Sequence, residues 1–259
     1  MNPLYLLQGA GIVAIALVAM VYWKGRSKIS VLFFLWGGLS WLLAIVLKSI
    51  ASAPMTQIIT RLRESTPAYI SEPLLWLYIG LLTGIFECGV SLILVHRLRR
   101  VRSANWSEAL GYGLGFGATE ALLLGIYNFI VVLLIIVMPD QLPQELVELA
   151  DTSNASLLAI PIPIVERTIV ILLHAFSSIL IIYAAQTKEW KWFWFSLLYK
   201  TTMDAIAGYI QLTYGLENLT IQGLWLVELI LLPFGLVGFW GLFAFQRRWQ
   251  IINEKILMR

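Results

Sequence analysis

The chain has 259 residues, of which 59% are hydrophobic and only 13% charged, with a formal net charge of +3. Soluble domains carry about 25% charged residues, so this composition excludes an ordinary soluble core and points to an all-α, polytopic transmembrane helical bundle. The single cysteine, Cys88, excludes an intrachain disulfide and a multi-cysteine metal site.

A helix crosses the roughly 30 Å hydrocarbon layer in about 20 apolar residues. Seven stretches meet that length: 4–23, 29–51, 73–96, 107–138, 162–186, 193–214 and 224–246. No charged leader with a small-residue cleavage site precedes the first, which therefore reads as a retained helix. Two outer loops, 52–72 and 139–161, are longer than simple turns and are places for short interfacial helices. In the second, Leu142, Leu146 and Leu149 alternate with Glu145, Glu148 and Asp151 at helical spacing. No repeat, low-complexity tract or linker divides the chain, so residues 1–259 read as one integral membrane domain.

Lys and Arg beside membrane helices are retained on the cytoplasmic side. Lys24, Arg26 and Lys28 follow span one, Arg97, Arg99, Arg100 and Arg102 follow span three, and Lys188 and Lys191 follow span five. With Arg247, Arg248, Lys255 and Arg259 they make 13 basic residues on one side, against Arg61 and Arg63 on the other. The N-terminus is thus expected outside and the C-terminus inside. The basic run from His96 to Arg102 is explained by this topology, and no nucleic-acid partner is inferred from it. Trp190, Trp192, Trp194, Trp225, Trp240 and Trp249 lie near span ends, where their rings suit the membrane interface. The Asn-x-Ser/Thr triplets at Asn154 and Asn218 are read as chance.

The spans also hold Lys48, Glu87, Glu120, Glu166, Arg167, His174, Lys200, Asp204 and Glu228. A charge in mid-span costs roughly 2.5 to 3.5 kcal/mol on insertion scales, so such residues pair with one another or line a polar cavity. At 1.5 Å per residue, Glu87 lies about 15 Å above the inner boundary, and Glu120, His174 and Asp204 about 18 to 20 Å above it. Four helices therefore bring polar groups to one level. Arg167, His174 and Ser178 follow one helical stripe, and Lys200 stands one turn from Asp204, the spacing of an intrahelical ion pair. Lys48, Glu166 and Glu228 lie near outer span ends, where snorkelling or a pair with Arg167 accounts for them. Ahead of Glu120, Gly111, Gly113, Gly115 and Gly117 form two overlapping small-xxx-small pairs of the kind that let helices approach closely in lipid.

The segments GIFECGVSLIL, YGLGFGATEALLLG, VERTIVILLHAFSSILIIYA and LLYKTTMDAIAGY resemble, in order and spacing, the motifs of the YhfC-type intramembrane metallopeptidases, relatives of the CAAX-protease and PrsW group. The resemblance implies that Glu87 corresponds to the first Glu of a Glu-Glu pair, with Cys88 in place of the second and Ser91 in place of a following Arg. It places Phe116 where a His is expected and keeps Glu120. Glu166, Arg167 and His174 match the family pattern in full, Lys200 replaces another His, and Asp204 is kept.

Two of three expected histidines are thus missing, which marks a degenerate active site. If the chain is competent, the resemblance implies catalytic roles among Glu120, His174, Glu87, Asp204 and Lys200. Glu120, His174 and Asp204 would then bind a zinc ion, or Glu120 would act on water without metal while His174 and Lys200 stabilise the oxyanion. The leading expectation is a diverged site that binds membrane segments without cleaving them. A proton-coupled transporter is a further alternative, since intramembrane acids beside His and Lys also suit proton relays. The expected partners are the lipid bilayer and a membrane-protein or peptide segment, and the expected location is the plasma membrane of a prokaryote.

Overall fold

The computed structural model describes residues 2–144, 147 and 156–257. Among these residues there is no strand, and the chain forms helices α1 (Leu6–Ser27), α2 (Leu32–Ser52), α3 (Met55–Ser65), α4 (Ala68–Arg97), α5 (Arg99–Arg102), α6 (Trp106–Val137), α7 (Ile162–Thr187), α8 (Lys191–Tyr214) and α9 (Ile221–Leu257). The all-α bundle expected from hydropathy is what the structure has. Of the two interfacial helices expected, α3 occupies the first outer loop. Glu145, Leu146, Glu148, Leu149 and Asp151 of the second, and Asn154, lie outside the described residues.

Local chemistry sets several helix ends. Asn105 and Glu108 form a reciprocal capping box at the start of α6: the Asn105 Oδ1 accepts from the Glu108 amide at 3.0 Å, and the Asn105 amide donates to the Glu108 carboxylate at 2.9 Å. Pro139 stops the same helix, because it cannot continue the hydrogen-bond ladder. At Lys28 and Lys188 the backbone turns into the left-handed region, with φ of 54° and 62°, and closes the α1–α2 and α7–α8 connections.

Among the described residues, six helical stretches are long and apolar enough to cross a membrane: Pro3–Ser27, Leu32–Ser52, Ala68–Arg97, Trp106–Val137, Leu157–Thr187 and Ile221–Ile251. The remaining expected span, 193–214, corresponds to α8, which has 24 residues but carries Lys191, Lys200 and Asp204. Within the bundle α7 is the central helix. Its apolar stretch is 89% buried, against at most 44% for the other five. It packs on α6, α8, α9 and α4, while α6 also packs on α1 and α2, and α4 on α8.

In lipid there is little hydrophobic gain from bringing two helices together, so close backbone contact through small residues does much of the packing. The glycine run of α6 serves two neighbours. A Cβ on Gly113 would lie 2.7 Å from the Ala175 Cα of α7, and one on Gly117 would lie 3.0 Å from the Ile171 Cα. Gly111 and Gly115 face α2 instead, where a Cβ on Gly115 would strike the Phe34 backbone. The two overlapping glycine pairs thus clamp α6 between α2 and α7. Below the site, Phe176, Tyr183, Phe245 and Trp249 stack edge to face, and Trp249 is buried in this cluster instead of standing at the interface.

A charged cavity between six helices

The close α6–α7 contact determines what Glu120 meets. Gly117 lets His174 approach, since a Cβ there would be 3.1 Å from the His174 Cβ. Glu120, one turn further along α6, then has its Oε2 2.9 Å from the His174 Nε2. Two turns away on the same stripe of α7, the Arg167 Nη1 donates to the other Glu120 oxygen at 2.7 Å. Arg167 also pairs with Glu166, as expected from their adjacency.

A second carboxylate approaches the same imidazole from α4. The Glu87 Oε2 lies 3.7 Å from the His174 Nδ1, a nitrogen that is buried without a hydrogen-bond partner among the described residues. The Lys200 Nζ of α8 donates to that same oxygen at 2.7 Å, while the Lys48 Nζ of α2 stands 3.8 Å from the other oxygen and donates to Thr83 at 3.2 Å. Lys200 also lies over the Phe116 ring, 4.2 Å from its centroid, and that ring is 4.8 Å from the His174 ring.

These groups surround a cavity of about 160 Å³ lined by Lys48, Thr83, Glu87, Glu120, Glu166, Arg167, His174, Lys200 and Asp204, with apolar walls from Trp41, Ile45 and Leu231. It has room for a few waters or part of one side chain. Four carboxylates face three permanent cations and one histidine, so the residues that are costly in lipid largely compensate one another. The expected convergence of Glu87, Glu120, His174, Lys200 and Asp204 is therefore present.

Three expectations fail in detail. Lys200 does not pair with Asp204 one turn away, because its side chain crosses to Glu87; Asp204 makes no ion pair among the described residues. Lys48 does not snorkel outward but turns into the cavity. Among the described residues Glu228 neither snorkels nor pairs with Arg167: it is buried, and its Oε2 has no hydrogen-bond partner there.

Some uncharged members of the site, Thr83, Ser40 and Ser196 among them, are not singled out by the sequence. Thr83 holds Lys48, and two buried polar contacts lie beside Glu87: Ser40 with Ser91 at 3.1 Å, and Cys88 with Ser196 at 3.6 Å, the latter bonded to Ser177 at 2.6 Å. A lone Ser or Thr in a span carries no strong hydropathy signal. Cys88 and Ser91, where the family pattern has Glu and Arg, are joined to neighbours by neutral contacts.

The arrangement limits the chemistry. Each Glu120 oxygen already accepts one hydrogen bond, from Arg167 or from His174, so a water held there would share the carboxylate with both. A catalytic zinc takes about three protein ligands and leaves one position open. Glu120 and His174 offer two donor atoms on the same side, but Glu87 meets the other imidazole nitrogen, which points away from any metal held at Nε2. Among the described residues no three His, Cys, Asp or Glu side chains are grouped to hold a metal ion, so Asp204 does not complete the set expected with Glu120 and His174. The residues present therefore do not fit a three-ligand metal centre.

The search of curated proteins found no match to this chain, and neither did the search of solved structures. Residues 11–231 match the family described as YhfC intramembrane metalloprotease, a match that runs from α1 through the site helices into α9. By that match, the chain belongs to the YhfC intramembrane metalloprotease family.

Proposed function

We propose that this integral membrane, peptidase-like protein uses the cavity between α2, α4, α6, α7, α8 and α9 to bind membrane segments without cleaving them. The carrying observation is the state of Glu120, whose two oxygens are held by Arg167 at 2.7 Å and His174 at 2.9 Å. Taking a proton from water would cost Glu120 its ion pair with Arg167. The two-donor metal set and the ammonium of Lys200 support the same reading. In the accompanying topology α8 crosses the membrane as a seventh span, the N-terminus is outside and the C-terminus inside, in the plasma membrane of a prokaryote. A polar side chain of a bound segment would enter the cavity and meet Lys48 with its acceptors and Asp204 or Glu166 with its donors.

The hydrogen bond between Glu120 and His174 favours one second reading, hydrolysis in which this dyad activates water once a substrate displaces Arg167. Binding of labelled single-span peptides to the protein in nanodiscs separates the two. The binding reading expects affinity that survives Glu120→Gln and is lost on Ala207→Trp, which narrows the cavity from an exposed wall position. Peptide cleavage that disappears in Glu120→Gln would establish the second reading instead.

A further inference from the structure

We propose that the ammonium of Lys200 is the resident cation of this cavity, caged by Glu87 and Phe116, and that it stands in for the divalent metal ion that the family description leads one to expect. Lys200 is 2% exposed, although lysine is among the residues least often buried. Its Nζ is 2.7 Å from the Glu87 Oε2 and 4.2 Å from the centroid of Phe116, itself fully buried. A carboxylate on one side and an aromatic face on another are the two environments that best replace water around an ammonium.

The two positions where the sequence departs from the histidine pattern are therefore not independent losses. Lys200 and Phe116 touch, and each accounts for the other: without the ring the ammonium loses one wall of its cage, and without the ammonium Glu87 is left buried beside the weaker, 3.8 Å contact to Lys48. A divalent ion placed between Glu120 and His174 would meet this fixed positive charge and that of Arg167, with Glu120 and Glu87 already paired to them. Being covalently tethered, the Lys200 cation cannot be removed by a chelator. This inference uses the same cavity as the binding reading but stands on the contacts of Lys200 alone, so metal content and peptide binding can fail separately.

The test is metal analysis of the purified protein in mild detergent after incubation with zinc, together with amine acetylation followed residue by residue by mass spectrometry. In the wild type the expected results are no stoichiometric zinc and acetylation of Lys200 at least about ten-fold slower than that of the cavity-lining Lys48. Phe116→Leu should speed acetylation of Lys200. The Phe116→His, Lys200→His double variant, which puts imidazoles beside His174 and Glu87, should take up zinc. Wild-type zinc that is lost in Glu120→Gln or His174→Ala would overturn the proposal. So would Lys200 reacting as fast as Lys48, or a folded double variant that takes no zinc.

Discussion

Replacing Lys200 by Met keeps most of the side-chain volume and removes only the charge. Glu87, 4% exposed, would then keep Lys48 at 3.8 Å and the Nδ1 of His174 at 3.7 Å, and would lose its only close donor. Breaking a buried pair from one side costs about 3 to 5 kcal/mol, because the remaining charge is left desolvated. That is a shift of roughly a hundred- to several-thousand-fold in the unfolding equilibrium. The double variant Glu87→Met, Lys200→Met removes both charges, and such replacements are commonly neutral or stabilising by about 1 to 4 kcal/mol. Reversible unfolding in mixed micelles, measured for the wild type, both single variants and the double variant, gives the coupling directly. A Lys200→Met variant within about 1 kcal/mol of the wild type would refute the buried pair as the partner that keeps Glu87 in the bundle.

Three other outcomes follow from separate parts of the structure. Gly113→Ala drives a methyl to within 2.7 Å of the α7 backbone and should destabilise by about 1 to 3 kcal/mol, whereas Gly89→Ala, with nothing within 4 Å, should not; equal effects in the same unfolding assay would count against the helix clamp. Asn105→Ala removes the capping box of α6 and should cost about 1 kcal/mol by the same measurement. In a Cys88→Ser background, Ser103→Cys should react with an impermeant maleimide only after intact cells are opened, and Ser65→Cys before. The reverse pattern would invert the proposed topology.

Hydropathy made the bundle legible, since lipid demands about 20 apolar residues wherever a helix crosses. Depth along each span was legible too: counting residues from the basic inner loops placed Glu87, Glu120, His174 and Asp204 at one level, and all four line one cavity. Rotation about each helix axis was not. Lys200 has Asp204 one turn away on its own helix, yet a long flexible side chain reached the more deeply buried Glu87 across the α4–α8 contact. The Arg167–Glu166 pair was visible from adjacency, whereas the Arg167–Glu120 bond depends on how closely α6 and α7 approach. Gly113 and Gly117 hinted at that approach but not at which neighbour each would face. Contacts such as those of Thr83, Ser40 and Ser196 join residues that carry no charge, and nothing in composition or period singles them out.

The most direct test of the central claim is the intact mass of single-span peptides after prolonged incubation with the wild-type protein in liposomes, with retention by the protein measured in parallel. Retained peptides of unchanged mass, with the same retention in Glu120→Gln, are the predicted result. Peptides shortened by the wild type but left whole by Glu120→Gln would contradict it and identify the cavity as an active peptidase centre.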